Sequence, residues 1–174
     1  MLDIECDLQQ VHLQPGEVYI AHEPTIIQTI LGSCVGVTFW SARLGVGALC
    51  HALLPRHPKK RGSGWDLLDG YRYVDFAIRD LATQFDRIGA ARGELEIKLF
   101  GGADVLQVSP SSTRPTVGKQ NCEVAIEVSR EEGLGVLASS LGGTLGRSIR
   151  FHTGTGEVQL RWLTRAMFEE SIDK

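Results

Sequence analysis

Cys34 and His51 are the two residues of this chain whose types and spacing could do covalent chemistry. A thiol with its ordinary pKa of about 8.5 is mostly protonated near neutral pH, so it needs a neighbouring base to become a good nucleophile. His51 lies seventeen positions further on, in Leu49-Cys50-His51-Ala52-Leu53-Leu54-Pro55, and is the obvious base. Taken alone, a cysteine in an apolar strand is more often a small buried hydrophobe, and a histidine in an apolar run a core residue. The surroundings of Cys34 set it apart. Gly32 and Gly36 remove side-chain bulk on both sides, which leaves room for a substrate, and Gly32-Ser33-Cys34 offers successive backbone N–H groups to an oxyanion. Cys6, Cys50 and Cys122 have no such setting.

The elements that must position this pair are short strands. Residues 17–21 and 25–31 are rich in β-branched residues and bounded by Pro15-Gly16, Pro24 and Gly32. Residues 34–40 and 46–54 read as a hairpin whose loop, 41–44, closes Trp40 against Gly45, so that opposed residue numbers sum to 85. Cys34 and His51 also sum to 85. That register makes them cross-strand neighbours on one face, with Cβ atoms about 4.5–5.5 Å apart. A slip of one residue would put them on opposite faces.

The rest of the pattern supplies the packing. Leu67, Tyr71, Val74, Ile78, Leu81, Phe85 and Ile88 recur every three or four positions, which predicts one helix over 66–88 stopped by Gly89. Residues 95–100 predict a strand running into Gly101-Gly102, 110–118 a loop, and 121–132 a second helix ending at Gly133. Further strands are expected at 134–141, 148–152 and 157–163, and the tail 167–174 reads as frayed or a short helix. The basic, breaker-rich stretch 56–64 reads as a solvated loop rather than a docking patch. Strands at both ends, helices in the middle and no regular βα alternation predict an α+β class. We expect a single domain over 1–174, with β-sandwich-like strand layers packed against two or more helices.

Composition narrows the function. The chain has 174 residues, 18 Lys+Arg against 21 Asp+Glu, a net charge of −3 and 43% hydrophobic residues, enough for a core. A near-neutral charge argues against a nucleic-acid partner. An acidic N-terminus and the lack of any apolar run of about 18 residues predict a cytoplasmic chain with no membrane insertion. Four widely spaced cysteines are not a disulfide framework. A zinc site from Cys34, Cys50, His51 and Cys122 lacks the tight ligand pairs of structural zinc, so no metal is expected. Gly142-Gly143-Thr144-Leu145-Gly146 lacks the strand-turn-helix setting of a phosphate loop.

Six fragments in order resemble one family. Leu31-Gly32-Ser33-Cys34-Val35, His51-Ala52-Leu53-Leu54-Pro55, Lys98-Leu99-Phe100-Gly101-Gly102-Ala103, Gly118-Lys119-Gln120-Asn121, Leu141-Gly142-Gly143 with Gly146-Arg147, and Thr155-Gly156-Glu157-Val158 look like the CheD-type chemoreceptor glutamine deamidases, over about 15–165. The resemblance implies a cysteine hydrolase similar in fold to the deamidase domain of cytotoxic necrotizing factor. It implies conversion of selected glutamines on methyl-accepting chemotaxis receptors to glutamate, without a cofactor, and in part of the family a CheC-type phosphatase partner. By the same resemblance Cys34 is the nucleophile and His51 the general base. The family's third residue is a threonine six positions before the cysteine. Gln28 stands there, with Thr29 one place later. Along a straight strand Gln28 shares the face of Cys34 and Thr29 does not, unless the turn at Gly32 changes the parity. Thr29 is ranked ahead because a local shift restores the family's chemistry. Lys119-Gln120 and Ser140 depart from the family's usual Glu-Arg and acidic residue. The alternative reading is a docking module that binds receptors or the phosphatase without turnover, and a further rival is another cysteine amidase acting on protein.

Overall fold

A computed structural model describes residues 8–58, 67–105 and 114–172. Cys6, most of the basic stretch (59–64) and much of the 110–118 loop lie outside the described residues. The remainder folds as two mixed sheets and a layer of helices. One sheet has the order β1 (Gln9–His12), β3 (Thr25–Leu31), β8 (Gly146–His152), β9 (Val158–Leu163). The other runs β2 (Val18–Ala21), β5 (Val46–Ala52), β4 (Val35–Ser41), β6 (Glu96–Gly101), β7 (Val136–Leu141). The helices are α1 (Leu67–Gly70), α2 (Val74–Arg87), α3 (Val117–Glu131) and α4 (Arg165–Ile172). No described helix is long and apolar enough to cross a membrane.

Alternation along β5 explains the layering. Val46, Ala48, Cys50 and Ala52 join the core made with Ile78, Leu81 and Phe85 of α2 and Val124 and Val128 of α3. Leu49, on the other face, joins Ile27, Leu31, Ile149 and Phe151 of the four-stranded sheet. Every residue of β5 is therefore buried. Each fully buried large apolar side chain contributes about 1.5–3 kcal/mol. One buried hydrogen bond contributes about 1 kcal/mol net, so apolar burial is what holds the two sheets together.

The predicted hairpin exists in a different register. β4 and β5 pair Ser41 with Val46, Gly36 with His51 and Val35 with Ala52. The loop is thus 42–45, because Gly45 adopts φ +65 and its N–H bonds the Ser41 carbonyl, which takes it out of the strand. The shift from a sum of 85 to 87 is two residues, so His51 stands opposite Gly36 rather than Cys34, which lies just before the first paired residue Val35.

The helix expected over 66–88 is broken. Tyr73 is extended, and residues 72–74 bond back to Leu53 and Leu54 beyond the end of β5. Tyr71, Val74, Ile78, Leu81 and Phe85 are buried as expected, but Ile88 is exposed. The second helix begins at Val117 rather than Asn121, since the Thr116 hydroxyl accepts from the Lys119 N–H and caps it. The tail forms α4. β1 was not anticipated. It pairs parallel to β3.

Candidate functional site

Residues Gly32, Ser33 and Cys34 are not a continuation of a strand. They bend between β3, in the four-stranded sheet, and β4, in the five-stranded sheet. Face parity along a straight strand therefore does not carry across them, and Thr29 and Cys34 both reach the layer between the sheets. Cys34 packs there against the cluster of Leu31, Leu49 and Ile149.

His51 lies on the face of β5 that looks into this layer and is only 2% exposed. Thr29 meets it from the opposite sheet. The Thr29 hydroxyl is 2.7 Å from His51 Nδ1 and donates to the Leu13 carbonyl at 2.9 Å. A carbonyl only accepts, so the single hydroxyl proton goes to Leu13 and Nδ1–H becomes the donor to Thr29. The tautomer follows from this network, leaving a lone pair on Nε2, which is buried and has no hydrogen-bond partner among the described residues. Gln28 faces the other way and donates to Gln10 at 3.0 Å. Of the two candidates, Thr29 is the one brought to His51.

Gly36 stands directly opposite His51 in the ladder and places no side chain beside it. The room expected there and at Gly32 is occupied. A Cβ on Gly36 would meet Leu31 at 3.0 Å, and one on Gly32 would meet the Phe168 ring of α4 at 2.6 Å. A substrate must therefore reach Cys34 without using the side of Gly32 that α4 covers.

The Gly32-Ser33-Cys34 loop is fixed through its carbonyls. Gly32 accepts from Ala103 N–H at 2.8 Å, Ser33 from Asn121 Nδ2 at 2.8 Å and Cys34 from Gly102 N–H at 2.8 Å. Among the described residues no backbone carbonyl accepts from the amides of Ser33 and Cys34, and the Cys34 N–H lies against its own thiol, so both can turn to an oxyanion. Gly101 and Gly102 permit this approach. Gly101 sits at φ +106 with the Cys34 carbonyl 2.1 Å from where a Cβ would be, and Gly102 at φ +67 with Cys122 Sγ equally close.

Burial sets the charge state. It pushes the Cys34 thiol up to about 11, with its own backbone N–H pulling the other way. It pushes His51 down to about 4, against the Leu13 carbonyl. The resting pair at neutral pH is a thiol and a neutral imidazole, not an ion pair.

Cys50 points to the helix side of β5, away from His51, and Cys122 lies behind Gly102. Among the described residues no group of three or more His, Cys, Asp or Glu side chains could hold a metal ion. Asn121 and Arg147 stood in the quoted fragments without an assigned role. A polar residue interrupting the buried stripe of a helix was the available signal for Asn121, which is fully buried. Arg147, also fully buried, stacks on Trp162 at 4.7 Å and donates to the Ser140 carbonyl and hydroxyl and to the Gly142 carbonyl.

Residues 53–162 match a family model described as CheD chemotactic sensory transduction. The match begins two positions after His51. Three relatives span both parts. A protein of Geobacter sulfurreducens named probable chemoreceptor glutamine deamidase CheD 2 is 43% identical over 158 residues, covering 91% of this chain and 92% of its own. Proteins named probable chemoreceptor glutamine deamidase CheD are similar as well. That of Maridesulfovibrio salexigens is 36% identical over 94% of this chain and 98% of its own, and that of Nitratidesulfovibrio vulgaris 38% over 93% and 81%.

Proposed function

Because the chain belongs to the CheD family, we propose that it hydrolyses the side-chain amide of selected chemoreceptor glutamines to glutamate, with Cys34 as nucleophile, His51 as general base and acid, and Thr29 orienting the imidazole. The observation that carries this reading is the Thr29–His51 bond, which commits Nδ1 and leaves the Nε2 lone pair unpaired in the layer that Cys34 enters.

The steps follow from the neutral pair. As Sγ attacks the glutamine carbonyl carbon, the thiol proton passes to His51 Nε2. The amides of Ser33 and Cys34 donate hydrogen bonds to the developing oxyanion. His51 returns that proton to the nitrogen, the C–N bond breaks and ammonia leaves a thioester on Cys34. Water, giving a proton to His51, attacks the thioester. The C–S bond then breaks, the glutamate product departs and the thiol recovers its proton from the imidazolium. Water and groups of this chain supply every proton.

In this reading residues 1–174 act as one domain, with the family resemblance over about 15–165, related in fold to the deamidase domain of cytotoxic necrotizing factor, and work in the cytoplasm on the receptors' interior portions. A CheC-type phosphatase is a second protein partner, and nucleic acid has no role. A docking module without turnover would fit a His51 that lacks an orienting hydroxyl, since Gln28 stands where the family has a threonine. A hydroxyl from Thr29 on His51 favours the enzyme instead. Mass spectrometry of receptors incubated with the protein tests the proposal. Gln-to-Glu conversion at defined sites with ammonia release is expected, and unmodified receptors would overturn it.

A further inference from the structure

Asn121 occupies the second turn of α3 and is fully buried. Both protons of its amide nitrogen are committed, one to the Ser33 carbonyl at 2.8 Å and one to the Leu53 carbonyl at 2.9 Å. Ser33 immediately precedes Cys34, and Leu53 lies two residues after His51. A single planar NH2 group thus joins the loop that carries the nucleophile to the strand end that carries the base. Its Oδ1 is buried without a partner among the described residues, so the side chain is held by its donors alone.

The fold is shaped to let α3 come this close. The helix start rests on the chain after β6 backbone to backbone: a Cβ on Gly118 would lie 2.7 Å from the Gly102 carbonyl, and Gly102 itself has no room for one. Neither neighbour of aspartic acid nor leucine shape would serve. A carboxylate cannot donate, and an apolar side chain would leave both carbonyls unpaired.

We propose that Asn121 is a positioning residue for the Cys34–His51 pair, its amide setting the spacing at which the thiol proton reaches the imidazole. This rests on the Cys34–His51 reading above. Small errors of placement are expensive in rate, since a displacement of about 1 Å can cost about 10²-fold.

The test is a double-mutant cycle read by iodoacetamide alkylation of Cys34, which needs no receptor. His51→Gln is expected to slow alkylation in the otherwise unchanged protein and to have no further effect in Asn121→Ala. Thr153→Ala is the structural control. Thr153 is buried and bonded to Thr25 at 2.9 Å on the linkage between β3 and β8, and its loss should destabilise the fold while keeping the His51→Gln effect. With receptor as substrate, Asn121→Ala should lose about 10²-fold in kcat with KM within about twofold. Equal slowing by His51→Gln in all three backgrounds would overturn the inference and leave the enzyme reading standing. No slowing in the unchanged protein would instead strike the Cys34–His51 reading itself. Should Asn121→Ala not fold, Asn121→Ser carries the same cycle. Should neither fold, solvent exchange of the Asn121 side-chain amide in the wild-type protein decides: strong protection of both protons supports the brace, and exchange as fast as that of surface amides overturns it.

Discussion

Thr29 and His51 belong to different sheets and share a 2.7 Å contact across the layer between them. Thr29→Val keeps the volume and removes the hydroxyl, leaving the Leu13 carbonyl and His51 Nδ1 without this partner. We expect a loss of about 10²-fold in kcat with little change in KM, and about 1–3 kcal/mol in stability. Thr29→Ser should restore most of the rate, and Gln28→Ala should leave it unchanged. Ammonia release and urea denaturation measure both, and a Gln28→Ala defect larger than that of Thr29→Val would contradict the assignment.

Cys34→Ala should abolish receptor deamidation while altering stability by about 1 kcal/mol, as a small buried hydrophobe would. Cys122→Ala, behind Gly102, should retain turnover. Residual ammonia release by Cys34→Ala above the uncatalysed rate would rule out the thioester route.

The neutral resting pair predicts an unusual pH profile. With His51 near about 4 and the thiol near about 11, kcat/KM should keep its acid limb close to pH 4, and alkylation of Cys34 should climb with pH beyond 9 with no plateau at neutrality. A plateau below pH 7 would indicate a thiolate–imidazolium pair instead.

The same shift affects folding. His51 protonates near 6.5 in the unfolded chain and near about 4 in the folded one, so the unfolded state binds the extra proton between these values. Stability linked to His51 is complete above pH 6.5 and is lost as pH falls toward 4, by roughly 3 kcal/mol at 1.36 kcal/mol per pKa unit. His51→Gln should flatten this part of the dependence. Urea denaturation at pH 7 and pH 4.5 measures it, and equal losses in both proteins would disprove the linkage.

Arg147 makes a prediction of its own. Removing its guanidinium leaves the Ser140 carbonyl and hydroxyl and the Gly142 carbonyl without their donor. Arg147→Met should cost about 3 kcal/mol or more, measured by urea denaturation, and Arg147→Lys should recover only part of that because one ammonium cannot reproduce the fork. A neutral result would mean that β7 and β8 are held at this end by other contacts.

Local chemistry made the strands legible. β-branched runs bounded by Pro and Gly locate β2 and β3 to within a residue or so, the hairpin reading places β4 within one residue, and the stripe through Val74, Ile78, Leu81 and Phe85 identifies α2. What escaped was set by distant partners. Nothing near Gly70 announces that Leu53 and Leu54 will claim the backbone of Arg72 and Val74 and break the helix. The two-residue shift of the hairpin turned on whether Gly45 belonged to strand or turn. For the site, the types and spacing of Cys34 and His51 were readable, as was the Gly32-Ser33-Cys34 loop. The preference for Thr29 over Gln28 rests on the family resemblance, because strand periodicity does not record the chain leaving one sheet for the other at Gly32.

That crossing has a mechanical consequence. His51 rides on one sheet, the Thr29 hydroxyl that meets it on the other, and Cys34 on the strap that stitches them. The apolar seam of Ile27, Leu31, Leu49, Ile149 and Phe151 is therefore the jig in which the three groups are aligned. A sliding of one sheet over the other by a fraction of a side chain would leave the protein folded and its parts in place, yet out of true.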